Sequence, residues 1–247
     1  MTEPTQLPAR APRVHREVTS FVRRSTRMRP VHQRAWERLR HAYVVEVPQR
    51  ATSTSVAPGH ALDLAAVFGR EAPLVVEIGP GTGESLVAMA AGRPEVDVLA
   101  FEVYLPGVAR AVHRLHETGV GNVRLLQTDA VDGLTHLLGP ASVTELWTFF
   151  PDPWPKVKHH KRRLVDRAFA DLVAERLRPG GHWRLATDWA DYAEQMRTVL
   201  DAHPDLVSAA SSVDGWADRH PDRPLTRFEQ RGLDAGRTVR DLHYRRR

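Results

Sequence analysis

The stretch Leu74-Val75-Val76-Glu77-Ile78-Gly79-Pro80-Gly81-Thr82-Gly83-Glu84 passes from a short apolar run into three glycines at alternate positions, and a helix-forming run, Glu84 to Ala91, follows. Strand, glycine turn and helix in that order begin a Rossmann-like unit of an α/β fold. A dinucleotide-binding turn would carry glycine where Glu84 stands. Glu77 before the turn and Glu84 after it would repel a pyrophosphate, yet both suit a cationic sulfonium or ammonium group. S-adenosylmethionine therefore fits the turn at Gly79 and Gly81 better than NAD does.

Downstream, apolar strands alternate with connections that each begin on an acid. The run Val96 to Val103 carries Glu102 at its end, where a carboxylate accepts hydrogen bonds from ribose hydroxyls in this architecture. Val123 to Gln127 reads as a third strand, and Asp129 follows it in a place suited to an adenine amino group. A helix N-cap is the competing reading of each acid taken alone. Trp183 to Ala186 reads as a fifth strand, which brings Asp188 to the same rim ahead of a helix through Tyr192, Met196 and Val199. Val207 marks a weak strand, and Arg237 to Arg247 a basic terminal one.

Residues 149 to 163 read Phe-Phe-Pro-Asp-Pro-Trp-Pro-Lys-Val-Lys-His-His-Lys-Arg-Arg. Pro151, Pro153 and Pro155 exclude both a central strand and a helix start, and they predict extended geometry at Phe150, Asp152 and Trp154. A rigid loop should thus join the strand Thr144 to Phe150 to a helix running from about Arg162 to Arg178. Of the 35 Lys plus Arg residues, the lysines are only Lys156, Lys158 and Lys161, all in this loop. Compact ammonium groups there can meet phosphates or other acceptors as point charges, with the single carboxylate Asp152 just ahead of them, and a solvated basic turn is the competing reading.

The first 50 residues hold eleven arginines against four acids, with Pro4, Pro8, Pro12 and Pro30 among them. They read as a basic, partly disordered arm, with a short helix from Val31 to Tyr43 and a Ser/Thr/Pro/Gly-rich linker over 49 to 60. The division is an arm and linker at 1–58 and a catalytic domain at 59–247. No cysteine occurs, so disulfides and thiolate metal sites are excluded. No third metal ligand stands near His159 and His160, so no metal is expected. Neither a signal peptide nor an apolar run of membrane-spanning length is evident, and a soluble cytoplasmic protein is expected. The formal charge of +5 favours a polyanionic partner. No apolar seam decides between monomer and homodimer.

Seven motifs occur in order: Glu-Ile-Gly-Pro-Gly-Thr-Gly at 77–83, Phe-Glu-Val at 101–103, Thr-Asp-Ala at 128–130, the proline loop from 149, Lys-Arg-Arg at 161–163, Ala-Thr-Asp-Trp at 186–189 and Thr-Arg-Phe-Glu-Gln-Arg-Gly at 226–232. Over roughly residues 70 to 232 the chain resembles the bacterial tRNA (guanine-N7-)-methyltransferases. That resemblance implies a class I methyltransferase fold, a mostly parallel seven-stranded sheet with helices on both faces. It implies Glu77, Glu102, Asp129 and Asp152 around S-adenosyl-L-methionine, with Asp152 catalytic. Lys156, Asp188, Thr226, Arg227, Phe228 and Glu229 would be substrate positions, and Lys158, His159, His160, Lys161, Arg162 and Arg163 would contact RNA. The implied product is 7-methylguanosine at position 46 of the tRNA variable loop.

The chemistry agrees with this from below. Guanine N7 carries an in-plane lone pair and no proton, so its methylation needs alignment and tolerance of a growing cation rather than a general base. A methyltransferase of the same fold with another acceptor, and an RNA-binding protein without turnover, are the competing readings.

Overall fold

The computed structural model describes residues 20, 21, 27–50, 52 and 54–247. Most of the first 26 residues of the expected arm lie outside the described residues. Helix α1 (Pro30–Tyr43) comes first and α2 (Leu64–Phe68) follows. The alternating core is β1 (Leu74–Ile78), α3 (Glu84–Ala91), β2 (Asp97–Phe101), α4 (Leu105–Thr118), β3 (Val123–Leu126), α5 (Ala130–Leu137) and β4 (Val143–Phe149). It continues through a 3-10 turn (Val157–Arg162), α6 (Arg167–Arg176), β5 (Leu177–Thr187), α7 (Ala190–Asp201), β6 (Leu206–Ser208), α8 (Arg227–Asp234) and β7 (Arg240–Arg246).

The strands form one sheet in the order β3-β2-β1-β4-β5-β7-β6, with β7 antiparallel to both of its neighbours. All five residues of β1 are buried, as befits a central parallel strand covered on both faces. Leu146, Trp183 and Leu185 pack on one face with α5, α6 and α7. Val75, Ala100 and Trp147 pack on the other with α3 and α4. The two fully buried tryptophans keep their indole N–H groups satisfied inside this core. Trp147 donates to Glu145 Oε1 at 2.9 Å and Trp183 to Thr148 Oγ1 at 3.0 Å.

Three local expectations are corrected. The helix placed from about Arg162 begins at Arg167, because Asp166 is its N-cap and accepts from Phe169 N at 2.9 Å, while Val165 is drawn into the core. Residues 49 to 60 are no free spacer. Thr54 O accepts from Asp129 N at 2.7 Å, Val56 N donates to Asp132 Oδ2 at 3.1 Å, and the Val56 side chain is fully buried. Phe150 and Trp154 are not extended but left-handed, with φ of 53° and 46°. Such a conformation costs a bulky residue about 1 to 3 kcal/mol and persists where surrounding contacts over-determine it. Those contacts belong to the site.

Candidate active site

The carboxyl ends of β1, β2, β3 and β4 open on a cleft of ≈ 530 Å³. Its floor is the glycine turn. At Gly79 (φ 69°) and Gly81 (φ 59°) the space that a Cβ would take is open, whereas at Gly83 (φ 73°) a Cβ would stand 2.7 Å from the Ala111 Cβ. The first two leave room for a ligand against bare backbone, and the third lets α3 and α4 close together.

Glu102 braces this turn. Its Oε2 accepts from Gly81 N at 2.8 Å and its Oε1 from Tyr104 N at 2.7 Å, so the carboxylate is held on the rim of the cleft, which it lines. Asp129 also does two things. It caps α5, accepting from Val131 N at 2.9 Å, and it lines the cleft, so the capping role does not take it away from the rim.

Glu77 is 2% exposed and its Oε2 has no hydrogen-bond partner among the described residues. Burial, reinforced by the neighbouring Glu102, pushes its carboxyl up to about 8. An orphaned carboxyl facing a cleft beside a second acid is the arrangement that a cationic ligand would relieve. The acids Glu77, Glu102 and Asp129 above the open turn at Gly79 and Gly81 make a lining whose chemistry fits S-adenosyl-L-methionine.

Glu77 also has a consequence for stability. Below about pH 4.5 the carboxyl is protonated in both folded and unfolded chains; between there and about pH 8 only the unfolded chain ionises it, so stability falls as pH rises through that window. Glu77→Gln removes this loss. The cofactor-free variant should melt about 5 °C or more above wild type at pH 8 and close to it at pH 5, while binding the cofactor more weakly. Scanning calorimetry at the two pH values checks this, and an equal shift at both would refute it.

Asp152 enters the cleft from the end of β4, between two prolines and beside Phe149 and Phe150. Phe150 is pinned by its own N–H, which donates to Ala186 O at 2.8 Å. Trp154 is pinned through its indole N–H, which donates to Ser20 O at 2.9 Å. The Arg162 guanidinium lies 3.5 Å over the Trp154 ring and donates to Phe21 O at 2.7 Å.

The basic turn divides. Lys156, Lys158 and Lys161 are exposed, and His159 and His160 are half-buried, with His160 Nε2 3.7 Å from Asp191 Oδ2. Arg163, expected to contact RNA, is instead buried. Its Nη2 donates to both oxygens of Asp191 (2.7 and 2.9 Å), its Nη1 to Gln195 Oε1 (2.7 Å) and its Nε to Pro153 O (2.9 Å). The fork points inward because α7 offers a carboxylate and an amide just beneath the loop. Arg163 therefore ties the Asp152 turn to the body of the protein.

The substrate positions divide in the same way. Thr226, Arg227 and Phe228 line the cleft; Thr226 caps α8, and the Phe228 ring, 54% exposed, stands 5.4 Å from that of Phe150. Glu229 is 1% exposed and bonded to Arg219, with Arg223 Nη2 3.5 Å away, and Asp188 Oδ2 accepts from Arg237 Nε at 2.7 Å. Neither Glu229 nor Asp188 lines the cleft, and Lys156 stands outside it. Arg110, Arg114 and Arg223 do line it, and the sequence reading had assigned them no role. The spacing of Arg110 and Arg114, one helical turn apart just after Glu102, was the available signal.

Among the described residues no group of three or more His, Asp or Glu could hold a metal ion, and no helix is long and apolar enough to cross a membrane. A family model described as a putative methyltransferase matches residues 71–242. The tRNA (guanine-N(7)-)-methyltransferase of Cutibacterium acnes is 56% identical over 234 residues, covering 95% of this chain and 85% of that protein. The protein of the same name from Nocardioides sp. is 53% identical over 234 residues (94% and 88% covered), and that from Nitrosospira multiformis 44% over 232 residues (94% and 96% covered). With a methyltransferase cleft built on the glycine turn and identity of this extent along nearly its whole length, the chain belongs to the tRNA (guanine-N(7)-)-methyltransferase family.

Proposed function

We propose that the protein methylates N7 of a guanine in the tRNA variable loop, at position 46, with S-adenosyl-L-methionine as donor. The observation that carries this reading is the Asp152 loop, which opens on the same cleft as the glycine turn in a chain 56% identical to a tRNA (guanine-N(7)-)-methyltransferase. When bound, the cofactor supplies an electrophilic methyl group.

What remains for the protein is placement. Glu102 and Asp129 set the register of the nucleoside, and Glu77 faces positive charge at the floor. Asp152 orients the guanine and offsets the cation that grows on its imidazole ring as N7 gives up its lone pair. No general base is required, because N7 carries no proton. Phe228, exposed beside Phe150, supplies an aromatic face for an unstacked base, and Arg227 a cation at the rim. Lys156, Lys158 and Lys161 hold phosphates outside the cleft.

The test is labelled methyl transfer to unmodified tRNA, expected to occur and to vanish when the variable-loop guanine is replaced. Transfer that survives the replacement would move the acceptor elsewhere. In the same assay Lys158→Ala/Lys161→Ala should weaken tRNA binding and lower the slope of log affinity against log salt by roughly 0.7 to 0.9 per lost phosphate contact, with the rate at saturating tRNA retained. A lost rate with unchanged affinity would place these lysines in the chemistry instead.

A further inference from the structure

Helix α4 leaves β2 just past Glu102 and places Arg110 and Arg114 at the cleft, which both line. Helix α1 packs along it, with Trp36, Leu39 and Tyr43 against the core on that face, and brings His32 edge-on to His113 at 5.5 Å between ring centroids. Arg29, the N-cap residue of α1, joins the group, and the first turn of α1 has no acid. His32 registers the crowding. Partial burial, and then the charges of Arg110, His113, Arg29 and Arg114, hold its imidazole below the ordinary value. Its Nδ1 is buried without a hydrogen-bond partner among the described residues.

Among the described residues, none of these three guanidinium groups has an acidic partner within ion-pair distance. Glu117 Oε1 lies 3.3 Å from His113 Nε2, and the carboxylates of the cleft that Arg110 and Arg114 line stand beyond ion-pair distance of them. Elsewhere in the fold, buried arginines such as Arg163 and Arg223 are paired with carboxylates. Converging cations without an ion-pair partner repel one another, and a polyanion relieves that repulsion.

The sheet order places this group relative to the lysines. β1 lies between β2, whose following helix carries Arg110 and Arg114, and β4, whose following loop carries Lys158 and Lys161. We propose that the α1–α4 face around Arg29, Arg110 and Arg114 is a second phosphate-binding surface for the RNA substrate. A strand held at both surfaces spans the glycine turn, and a base turned out of it meets Asp152 between them. Backbone contacts of this kind fix register without reading sequence. The inference rests on the proposed function for its partner, and charge complementarity is what favours a nucleic-acid backbone as occupant.

The experiment compares full-length wild type with Arg29→Ala/Arg110→Ala/Arg114→Ala in binding unmodified tRNA over a salt series, with cofactor affinity measured by calorimetry. The salt slope should fall by roughly 2 and the affinity by about tenfold or more at moderate salt, a loss in tRNA binding that exceeds any loss of cofactor affinity. A control, Arg178→Ala/Arg245→Ala/Arg247→Ala, removes the same charge at exposed positions near the opposite end of the sheet and should keep the wild-type slope. The conservative Arg29→Lys/Arg110→Lys/Arg114→Lys variant should keep most of it too.

Bound tRNA should also raise the His32 titration midpoint toward its ordinary value by NMR. An unchanged slope, an equal fall in the control, or a loss confined to cofactor affinity would overturn the surface. Wild type that binds tRNA without methylating it would overturn the proposed function alone, because the slope comparison is read on binding. Wild type that does not bind tRNA would overturn both.

Discussion

Asp152→Asn should lower the single-turnover rate of methyl transfer at saturating tRNA by roughly 10²- to 10³-fold, the size of effect seen when one electrostatic contact to a developing charge is removed. The substitution keeps the shape of the side chain and exchanges a carboxylate for an amide. Pro151 and Pro153 on either side, with Phe150 hydrogen-bonded to Ala186 O at 2.8 Å, hold the loop in place regardless of that exchange. Affinity for tRNA and for the cofactor should therefore change little. The measurement is a tRNA titration of the single-turnover rate in protein shown to be folded. A full saturated rate in the variant would remove Asp152 from the chemistry.

Arg163→Ala should have the largest effect on the folded state, about 2 to 4 kcal/mol. It deletes four hydrogen bonds made by one buried guanidinium, and it leaves Pro153 O and Gln195 Oε1 without their donor. The loss falls somewhat below that for breaking a fully buried pair, because Asp191 is half exposed and water can take it over. Denaturant unfolding should show the loss directly. The saturated rate should drop as well, since the Asp152 turn loses its tie to α7, whereas the salt dependence of tRNA binding should stay as in wild type. A reduced salt slope with unchanged stability would return Arg163 to the RNA-contacting group.

The two variants mark the line between what was legible in the chain and what was not. Glu77, Glu102, Asp129 and Asp152 were readable because each follows or ends an apolar run, and strand ends in an open α/β sheet converge on one rim. The glycine turn was readable as a tight strand-to-helix connection, and the acids around it gave it a chemical meaning. The lysine turn stood out by composition alone. Arg163 looked like its neighbours Lys161 and Arg162, since no local feature tells a guanidinium aimed at solvent from one aimed at a carboxylate 28 residues further on. Glu229 and Asp188 were ambiguous for the same reason, the second being taken by Arg237, 49 residues away.

Backbone conformation divides similarly. Proline limits its own φ and biases the residue before it, which rightly excluded a helix through 150 to 155. That bias could not foresee Phe150 and Trp154 at positive φ, because the contacts that hold them come from β5 and from Ser20. By itself the sequence determined the order of the strands, the glycine turn with the helix after it, the acids at the strand ends and the chemical class of the cleft, all of which follow from periodicity and short-range sterics, while helices α4, α5 and α8 went unread. Only the tertiary structure decided which charges are spent inside the protein and which face a ligand. That choice depends on desolvation and on partners supplied by other elements, and neither is a property of a residue and its neighbours along the chain.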